Sequence, residues 1–286
     1  MSIKQHIKPL AGIVAAAGLA LALTACGGNS GAATTAAASS SAASDNVITV
    51  GASPSPHAEI LEAIKPELEA QGYELKVVEY SDYVQPNVAL SEGDLDANYF
   101  QHLPYLENYN TENGTDLASA GAIHFEPMGL YAGKSSDITN VPDGAKIAVP
   151  SDATNEARAL LLLQDQGVIK LTDGVGLEAT ANDIVENPHN VELVEVEAAA
   201  VPRSLQDADF GVINGNYALS AGLDTSATLA SEDADSEAAQ TYANIVAVRN
   251  GDEDSEKTQA LLKALTSDTA RKFIEDTYKG SVIPVF

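Results

Sequence analysis

The sequence has few basic residues, one cysteine and no tryptophan, and the first two shortages each exclude a class of function. Its 286 residues include 15 Lys plus Arg against 41 Asp plus Glu, a formal net charge of −26. So acidic a chain cannot neutralise a phosphate backbone, which excludes nucleic acid as a partner. The single Cys excludes an internal disulfide framework and a cysteine-rich metal site. No apolar run reaches the roughly 18–20 residues of a permanent membrane span.

The first 25 residues have the pattern of a secretory signal. Lys4 and Lys8 precede an uncharged, mostly apolar stretch from Leu10 to Leu23, and small residues follow it. Leu23-Thr24-Ala25-Cys26 resembles a bacterial lipobox, in which the signal peptidase cuts before the Cys and the sulfur carries diacylglycerol. We therefore predict a lipoprotein signal peptide over residues 1–25 and attachment to the cell membrane, on its extracytoplasmic face, through lipid on Cys26.

Residues 26–45 are predicted to be the lipid-anchored Cys and a flexible tether. Every position from 27 to 44 is Gly, Ala, Ser or Thr except Asn29, so the segment cannot bury enough surface to offset its ordering entropy. Removal of residues 1–25 leaves 13 basic and 41 acidic residues, a net charge of −28. An anionic body on an anionic membrane is expected to stand off the lipid surface.

From Asn46 onwards, short β-branched runs alternate with amphipathic helical stretches. The pattern predicts an α/β fold with largely parallel sheets, and Gly129–Ser136 and Tyr242–Asn244 are candidate crossings between two lobes. The predicted strands are 47–50, 75–78, 146–149, 191–196, 210–213 and 245–248. The predicted helices are 57–71, 153–166, 256–265 and 269–278, and Ser151 and Asp152 are candidate caps of the second.

The sequence contains no complete motif for catalysis or for metal binding. Gly129 to Ser135 resembles a phosphate loop but is one residue too short, and neither a nucleophile elbow nor a His-Glu-x-x-His pair occurs. The five His residues have no metal-ligand spacing, and the acidic runs Glu232–Glu237 and Asp252–Glu256 are typical of a solvated surface. We predict no enzymatic activity, no cofactor and no metal.

Two features favour a small ligand. Six of the 15 aromatic residues fall in one window of 30 residues, and within it Asn98 to His102 mixes polar and aromatic side chains at a predicted strand end, where open α/β sheets bind ligands. The second feature is Arg158, which lies early in a predicted helix. There a guanidinium and free backbone N–H groups could bind a carboxylate, although a surface ion pair with Glu156 or a neighbour is the alternative.

Several blocks of sequence, in order from Val47 to Phe286, resemble the MetQ/NlpA family of methionine-binding lipoproteins. The blocks are Gly51 to Pro54, Pro56 to Leu61, Asp82 to Asn87, Leu95 to Leu106, Glu126 to Gly129, Ala148 to Gln164, Asp173 to Leu177, Glu186 to Pro188, Pro202 to Leu205 and Gly280 to Pro284. The resemblance implies a type II periplasmic-binding-protein-like fold whose two lobes close on an amino acid. It also implies delivery of that ligand to the membrane permease of an ABC importer. We assign 46–130 plus 244–286 to lobe 1 and 131–243 to lobe 2.

The resemblance also implies a ligand-binding site. Arg158, with Asn155 beside it, would hold the carboxylate of methionine or a close analogue, and Asn214 and Asn244 would bind its amino and carboxylate ends. Four residues would surround the ligand side chain: Tyr83, Phe100, His102 and Tyr105. The chain departs from many relatives in having Asn214-Gly215-Asn216-Tyr217 where they have Asn-Thr-Thr-Tyr, and in the residues around Asn244.

Two alternatives remain open. The same fold could bind a different amino acid or a methionine-containing dipeptide, and the ligand released from denatured protein would identify it. Alternatively, the chain could be a surface lipoprotein with no small ligand, in which case no amino acid would raise its melting temperature.

Overall fold

The structure, a computed structural model, describes residues 46–233 and 240–286. The predicted signal peptide over 1–25, the anchoring Cys26 and the tether to residue 45 lie outside the described residues. Within the described ranges, no helix combines the length and the apolar character that crossing a membrane requires.

The described residues form an α/β fold, as predicted. Its strands are β1 (Val47–Ala52), β2 (Glu74–Glu79), β3 (Ala97–His102), β4 (Ala118–Phe125), β5 (Gly129–Ala132), β6 (Lys146–Pro150), β7 (Lys170–Leu171), β8 (Ile184–Glu186), β9 (Glu192–Val196), β10 (Phe210–Ile213), β11 (Ala230–Ser231), β12 (Asn244–Val248) and β13 (Ile283–Pro284). Its helices are α1 (Glu59–Ala70), α2 (Gln85–Glu92), α3 (Leu103–Asn113), α4 (Ala153–Asp165), α5 (Val201–Ser204), α6 (Gly215–Ser220), α7 (Glu256–Leu265) and α8 (Asp268–Tyr278).

The strands form two main sheets and one small pair. The first sheet has the order β13-β4-β12-β3-β1-β2, the second has the order β11-β5-β10-β6-β9, and β7 pairs with β8. In the described part of the chain, β1 to β4 run in one direction in the first sheet, and β6, β9, β10 and β11 do so in the second. Most strands of each sheet therefore share one direction, but four of the nine neighbouring pairs among the described strands are parallel and five are antiparallel, so the sheets are mixed. The two-sheet architecture agrees with the predicted two-lobed α/β fold.

Two of the strands that run against this direction, β5 and β12, mark where the chain passes between the sheets. β5 begins directly after the link Glu126–Met128 from the first sheet, and β12 begins after the chain has left the second. Each is antiparallel to both of its neighbours because it enters its sheet from the end where the parallel strands finish. The link between the sheets therefore lies directly before the segment predicted for the crossing, Gly129–Ser136, whose residues 129–132 are strand with Leu130 fully buried.

Two apolar cores stabilise the two sheets. In the first, residues of β1 pack against the buried stripe of α1 formed by Ile60, Leu61, Ile64 and Leu68, together with α7 and α8. In the second, Ile147 and Val149 of β6 pack with Leu160 and Leu163 of α4. Because each helix stripe has the predicted spacing, the helix and strand predictions in these layers are confirmed to within two residues.

Several elements near the site were not predicted, among them α2, α3, α6 and β4. Pro86 and Pro104 lie in the first turns of α2 and α3, where the missing N–H of a proline costs nothing. Strand β4 was missed because Ala118 to Gly121 contains only small residues.

Candidate ligand-binding site

Residues at the ends of β3, β6 and β10 and at the start of β12 lie around one cavity. Parallel strands that finish at the same edge bring their following residues together there. All eight residues predicted for the ligand line this cavity: Tyr83, Phe100, His102, Tyr105, Asn155, Arg158, Asn214 and Asn244. Gln101, Glu126, Gly215 and Asn216 line it as well. Its free volume is about 20 Å³, room for about one water molecule, so a larger ligand can be enclosed only if the lining residues first move apart.

The turn between β3 and α3 positions the aromatic residues that line one side of the cavity. His102 ends the strand and caps the helix, because its Nδ1 accepts a hydrogen bond from the Tyr105 backbone N–H at 3.2 Å. Phe100 and Tyr105 therefore lie on the same side of the turn, and the ring of Tyr83 contacts both, with centroids 5.8 and 5.7 Å away. Tyr105 also donates to the Tyr83 backbone oxygen at 3.1 Å, so these rings form one rigid wall.

The polar side is built on the first turn of α4. Asp152 is the helix cap, as predicted, and its Oδ1 accepts from both the backbone N–H and Nδ2 of Asn155, at 3.0 and 2.8 Å. This contact fixes Asn155 so that its Oδ1 accepts from Nδ2 of Asn214 at 2.7 Å and lies 3.2 Å from Nε2 of His102. Asn155 thus connects residues of both sheets around the cavity.

Arg158 is 4% exposed and forms an ion pair that the sequence did not predict. Its Nε and Nη2 donate to the carboxylate of Glu232 at 2.6 and 2.5 Å, and Nη2 also donates to the Glu126 backbone oxygen at 2.8 Å. Burial disfavours the charged guanidinium, but the Glu232 carboxylate outweighs this effect and raises the pKa of Arg158. The partner is therefore not Glu156, and the pair is not on the surface.

The burial of Glu232 differs from the prediction for the acidic run that contains it. The acidic run 232–237 was predicted to be solvated, yet the Glu232 side chain is only 9% exposed and also accepts from the Met128 backbone N–H at 2.8 Å. Residues 234–237 lie outside the described residues. Glu232 is not among the residues that line the cavity.

Glu126 and two histidines form a buried cluster next to the cavity. Oε1 of Glu126 accepts from Nε2 of His124 at 2.7 Å and lies 3.4 Å from Nε2 of His57, which contacts Oδ1 of Asn244 at 2.9 Å. Burial lowers the pKa of His57 to about 4 and that of His124 to about 3, so both rings are neutral at pH 7. Burial raises the pKa of Glu126, against the effect of His57 and Arg158.

The donor atoms of this cluster lie within 4.8 Å of one another, which is close enough to hold a metal ion. The His residues are 67 positions apart in the chain, so spacing could not indicate the cluster. Nε2 of each ring already has a hydrogen-bond partner, Asn244 for His57 and Glu126 for His124. These contacts occupy Nε2 of both rings, while Nδ1 of His57 has no hydrogen-bond partner among the described residues.

Two polar atoms of cavity residues remain without a hydrogen-bond partner among the described residues. They are Oδ1 of Asn214 and Nδ2 of Asn216, and both residues are more than nine-tenths buried. Leaving a buried donor or acceptor unpaired costs about 1–3 kcal/mol. A ligand that offers one acceptor and one donor would satisfy both atoms.

Comparison with known proteins gives one consistent result. The sequence model of the family described as NlpA lipoprotein matches residues 48–286. Methionine-binding lipoprotein MetQ of Bacillus subtilis is 42% identical over 243 residues, covering 83% of this chain and 88% of that protein. The crystal structure of a lipoprotein from Ruminococcus gnavus is 56% identical, with a TM-score of 0.83 and coverage of 84% of this chain and 100% of the other. That of a nutrient-binding protein from Burkholderia cenocepacia bound to methionine is 44% identical, with a TM-score of 0.79 and coverage of 84% and 100%.

Proposed function

Because this chain belongs to the NlpA lipoprotein family, we propose that it is a solute-binding protein that encloses methionine in the cavity around Arg158. It would be anchored by lipid on Cys26 at the extracytoplasmic face of the membrane and deliver its ligand to the permease of an ABC importer. It would act without catalysis. The observation that supports this proposal most directly is that all eight predicted ligand residues line one cavity. The first and the last of them are 161 positions apart in the chain.

The polar end of the cavity matches a zwitterion. A charged group that leaves water must be paired, because an unpaired buried charge is costly. Nε and Nη2 of Arg158 donate to Glu232 and to the Glu126 backbone oxygen. The remaining Nη1 would donate to the ligand carboxylate. Nδ2 of Asn216 would donate to the same carboxylate. Oδ1 of Asn214 is an acceptor for the ammonium group.

The aromatic wall matches the methionine side chain. Burial of a side chain of this size contributes about 1.5–3 kcal/mol. Contacts between the thioether sulfur and rings such as Tyr83, Phe100 and Tyr105 add about 0.3–1.5 kcal/mol. The second term favours methionine over leucine, so we expect a modest preference between these two ligands.

A dipeptide is the second candidate, and a neighbouring cavity supports it. Tyr83 and Tyr105 line both cavities, and the neighbour also contains Asp82, Asp152 and Glu197. A ligand with a second residue would extend past the two rings towards these carboxylates.

Mass spectrometry of the small molecules released from denatured protein tests the proposal. We expect methionine, bound at up to one equivalent, and much less from an Arg158→Ala variant purified in parallel. A released dipeptide or another amino acid would favour the second candidate. A protein that carries no amino acid, and whose melting temperature no amino acid raises, would contradict ligand binding altogether.

A further inference from the structure

Glu126 is a buried carboxylate in the cavity with no established role. It lies in the link between β4 and β5, is 5% exposed, and lines the cavity together with Arg158. Its carboxylate does not pair with that guanidinium in the described residues: Arg158 contacts its backbone oxygen, while Glu232 provides the ion pair. The positive charge of Arg158 is therefore paired directly with Glu232 and not with the Glu126 carboxylate.

The groups around the Glu126 carboxylate donate hydrogen bonds without adding a full positive charge. His124 donates to Oε1 at 2.7 Å, and the Asn216 backbone N–H also donates to the carboxylate. His57 lies 3.4 Å from the same Oε1, and both rings are neutral because they are buried. While both rings are neutral, Glu126 has hydrogen-bond partners but no direct ion pair among the described residues, and the Arg158 charge acts on it only from a distance.

The Glu126 side chain packs directly against Gly215. A Cβ on Gly215 would lie 2.8 Å from Oε2 and 2.7 Å from Cβ of Glu126, closer than atoms can pack. Glycine here therefore makes room for the acid. Oε2 is therefore held close to the backbone at the start of α6.

We propose that Glu126 is the counter-ion of the ligand's ammonium group, so that the site selects ligands with a free, protonated amine. This inference rests on the proposed function. Arg158 and Glu126 would then be the two charged ends of a site for α-amino acids or for peptides with a free N-terminus. An analogue with a hydroxyl in place of the ammonium group leaves Glu126 without a counter-ion and should bind poorly.

The test is titration calorimetry of ligand-free protein with methionine and with its α-hydroxy analogue, which differ only at the ammonium group. Loss of one partner of a buried charge pair lowers affinity by ~30-fold or more. We expect the unmodified protein to prefer methionine by at least that factor. We expect Glu126→Gln to lose a similar factor for methionine but to bind the hydroxy analogue almost as before.

The control variant is Glu62→Gln, which makes the same chemical change on α1, where the side chain is 54% exposed. It should leave both affinities unchanged. If Glu126→Gln does not fold, Gly215→Ala displaces the carboxylate while retaining its charge, and it should reduce the preference for methionine in the same way.

An equal loss of affinity for both ligands in Glu126→Gln would overturn the proposal, because it would assign Glu126 a purely structural role. Equal affinity of the unmodified protein for both ligands would also overturn it. If the unmodified protein binds neither ligand, the proposed function fails with it. That result differs from the other two because methionine itself would give no heat.

Discussion

At the scale of single residues, Arg158 has two tasks that sequence alone could not separate. Its guanidinium forms a buried pair with Glu232 and also lines the cavity. The contact with Glu232 holds the guanidinium in one orientation. The Tyr242 ring stabilises the same orientation, because its centroid lies 4.4 Å from the guanidinium carbon. A guanidinium can serve both partners because its donors lie in a fixed plane. Arg158 is therefore preorganised for a carboxylate before the ligand arrives.

The Arg158→Ala variant should lose about 2–5 kcal/mol of methionine binding, since it strands the ligand carboxylate in a buried site. It also leaves Glu232 unpaired and should lower the free energy of unfolding by about 3–5 kcal/mol. Both quantities can be measured, binding by calorimetry and stability by urea unfolding. The matched control is Arg203→Ala at an exposed position of α5, which should change neither. Unchanged methionine affinity in folded Arg158→Ala would remove Arg158 from the site.

At the scale of elements, three helices begin at the cavity. His102, Asp152 and Asn214 are the residues that precede α3, α4 and α6, and the first and third line the cavity themselves. Residues before a helix have extended backbone and short or polar side chains that can satisfy the first N–H groups. The same positions thus define both the helix ends and the binding site.

Asp152→Ala should therefore affect stability and binding together. Its Oδ1 accepts from the backbone and the side chain of Asn155, so removal should cost about 0.5–2 kcal/mol of stability and release Asn155 in the cavity. Ser267→Ala is the matched control, because Ser267 caps α8 through the Ala270 N–H at 3.2 Å, far from the site. We expect similar losses of melting temperature in both variants. Weaker methionine binding should occur only in Asp152→Ala; equal affinity in the two would contradict the coupling of cap and site.

The elements also explain how far the sequence could predict this molecule. Helix stripes and β-branched runs report local burial, so the helices α1, α4, α7 and α8 and the strands β1, β2, β6, β9, β10 and β12 could be predicted. The small-residue strand β4 carries no such signal, and it leads into the link that contains Glu126. The resemblance to a family supplied the eight lining residues. The partners Glu126 and Glu232 could not be predicted, because their burial depends on chain segments distant in sequence.

At the scale of the whole folded body, contacts between residues attached to the two sheets hold the cavity closed. Tyr83 donates to Oδ1 of Asn216 at 2.6 Å, and its ring lies 4.8 Å from that of Tyr217. His102 and Asn155 make a further contact at 3.2 Å. Because these groups surround the ligand residues, entry or release of a ligand requires that they separate, as in hinge closure of binding proteins.

The folded body should also lose stability as the pH falls through 6, because three histidines around the cavity are buried in their neutral form. Burial lowers the pKa of His57 to about 4, and those of His102 and His124 to about 3; Arg158 contributes for His102. An unfolded histidine takes up its proton near pH 6.5. Between pH 6.5 and about 4 the unfolded chain therefore binds more protons than the folded one, and acid favours unfolding. Glu126 opposes part of this effect, since its raised pKa lets the folded state take up a proton first.

Urea unfolding of ligand-free protein at pH 7.5 and pH 5.5 measures this difference. Each histidine that stays neutral in the folded state should lower the free energy of unfolding by about 1.4 kcal/mol at pH 5.5, one unit below the pKa of an unfolded histidine. His102→Gln keeps a donor for Asn155 but cannot titrate, so the loss between the two pH values should be smaller by about that amount. His189→Gln, in a half-buried loop away from the cavity, should retain the full loss. A stability that is the same at both pH values would mean that the folded state accommodates protonated histidines, and the closed, desolvated cavity would then be incompatible with the measurement.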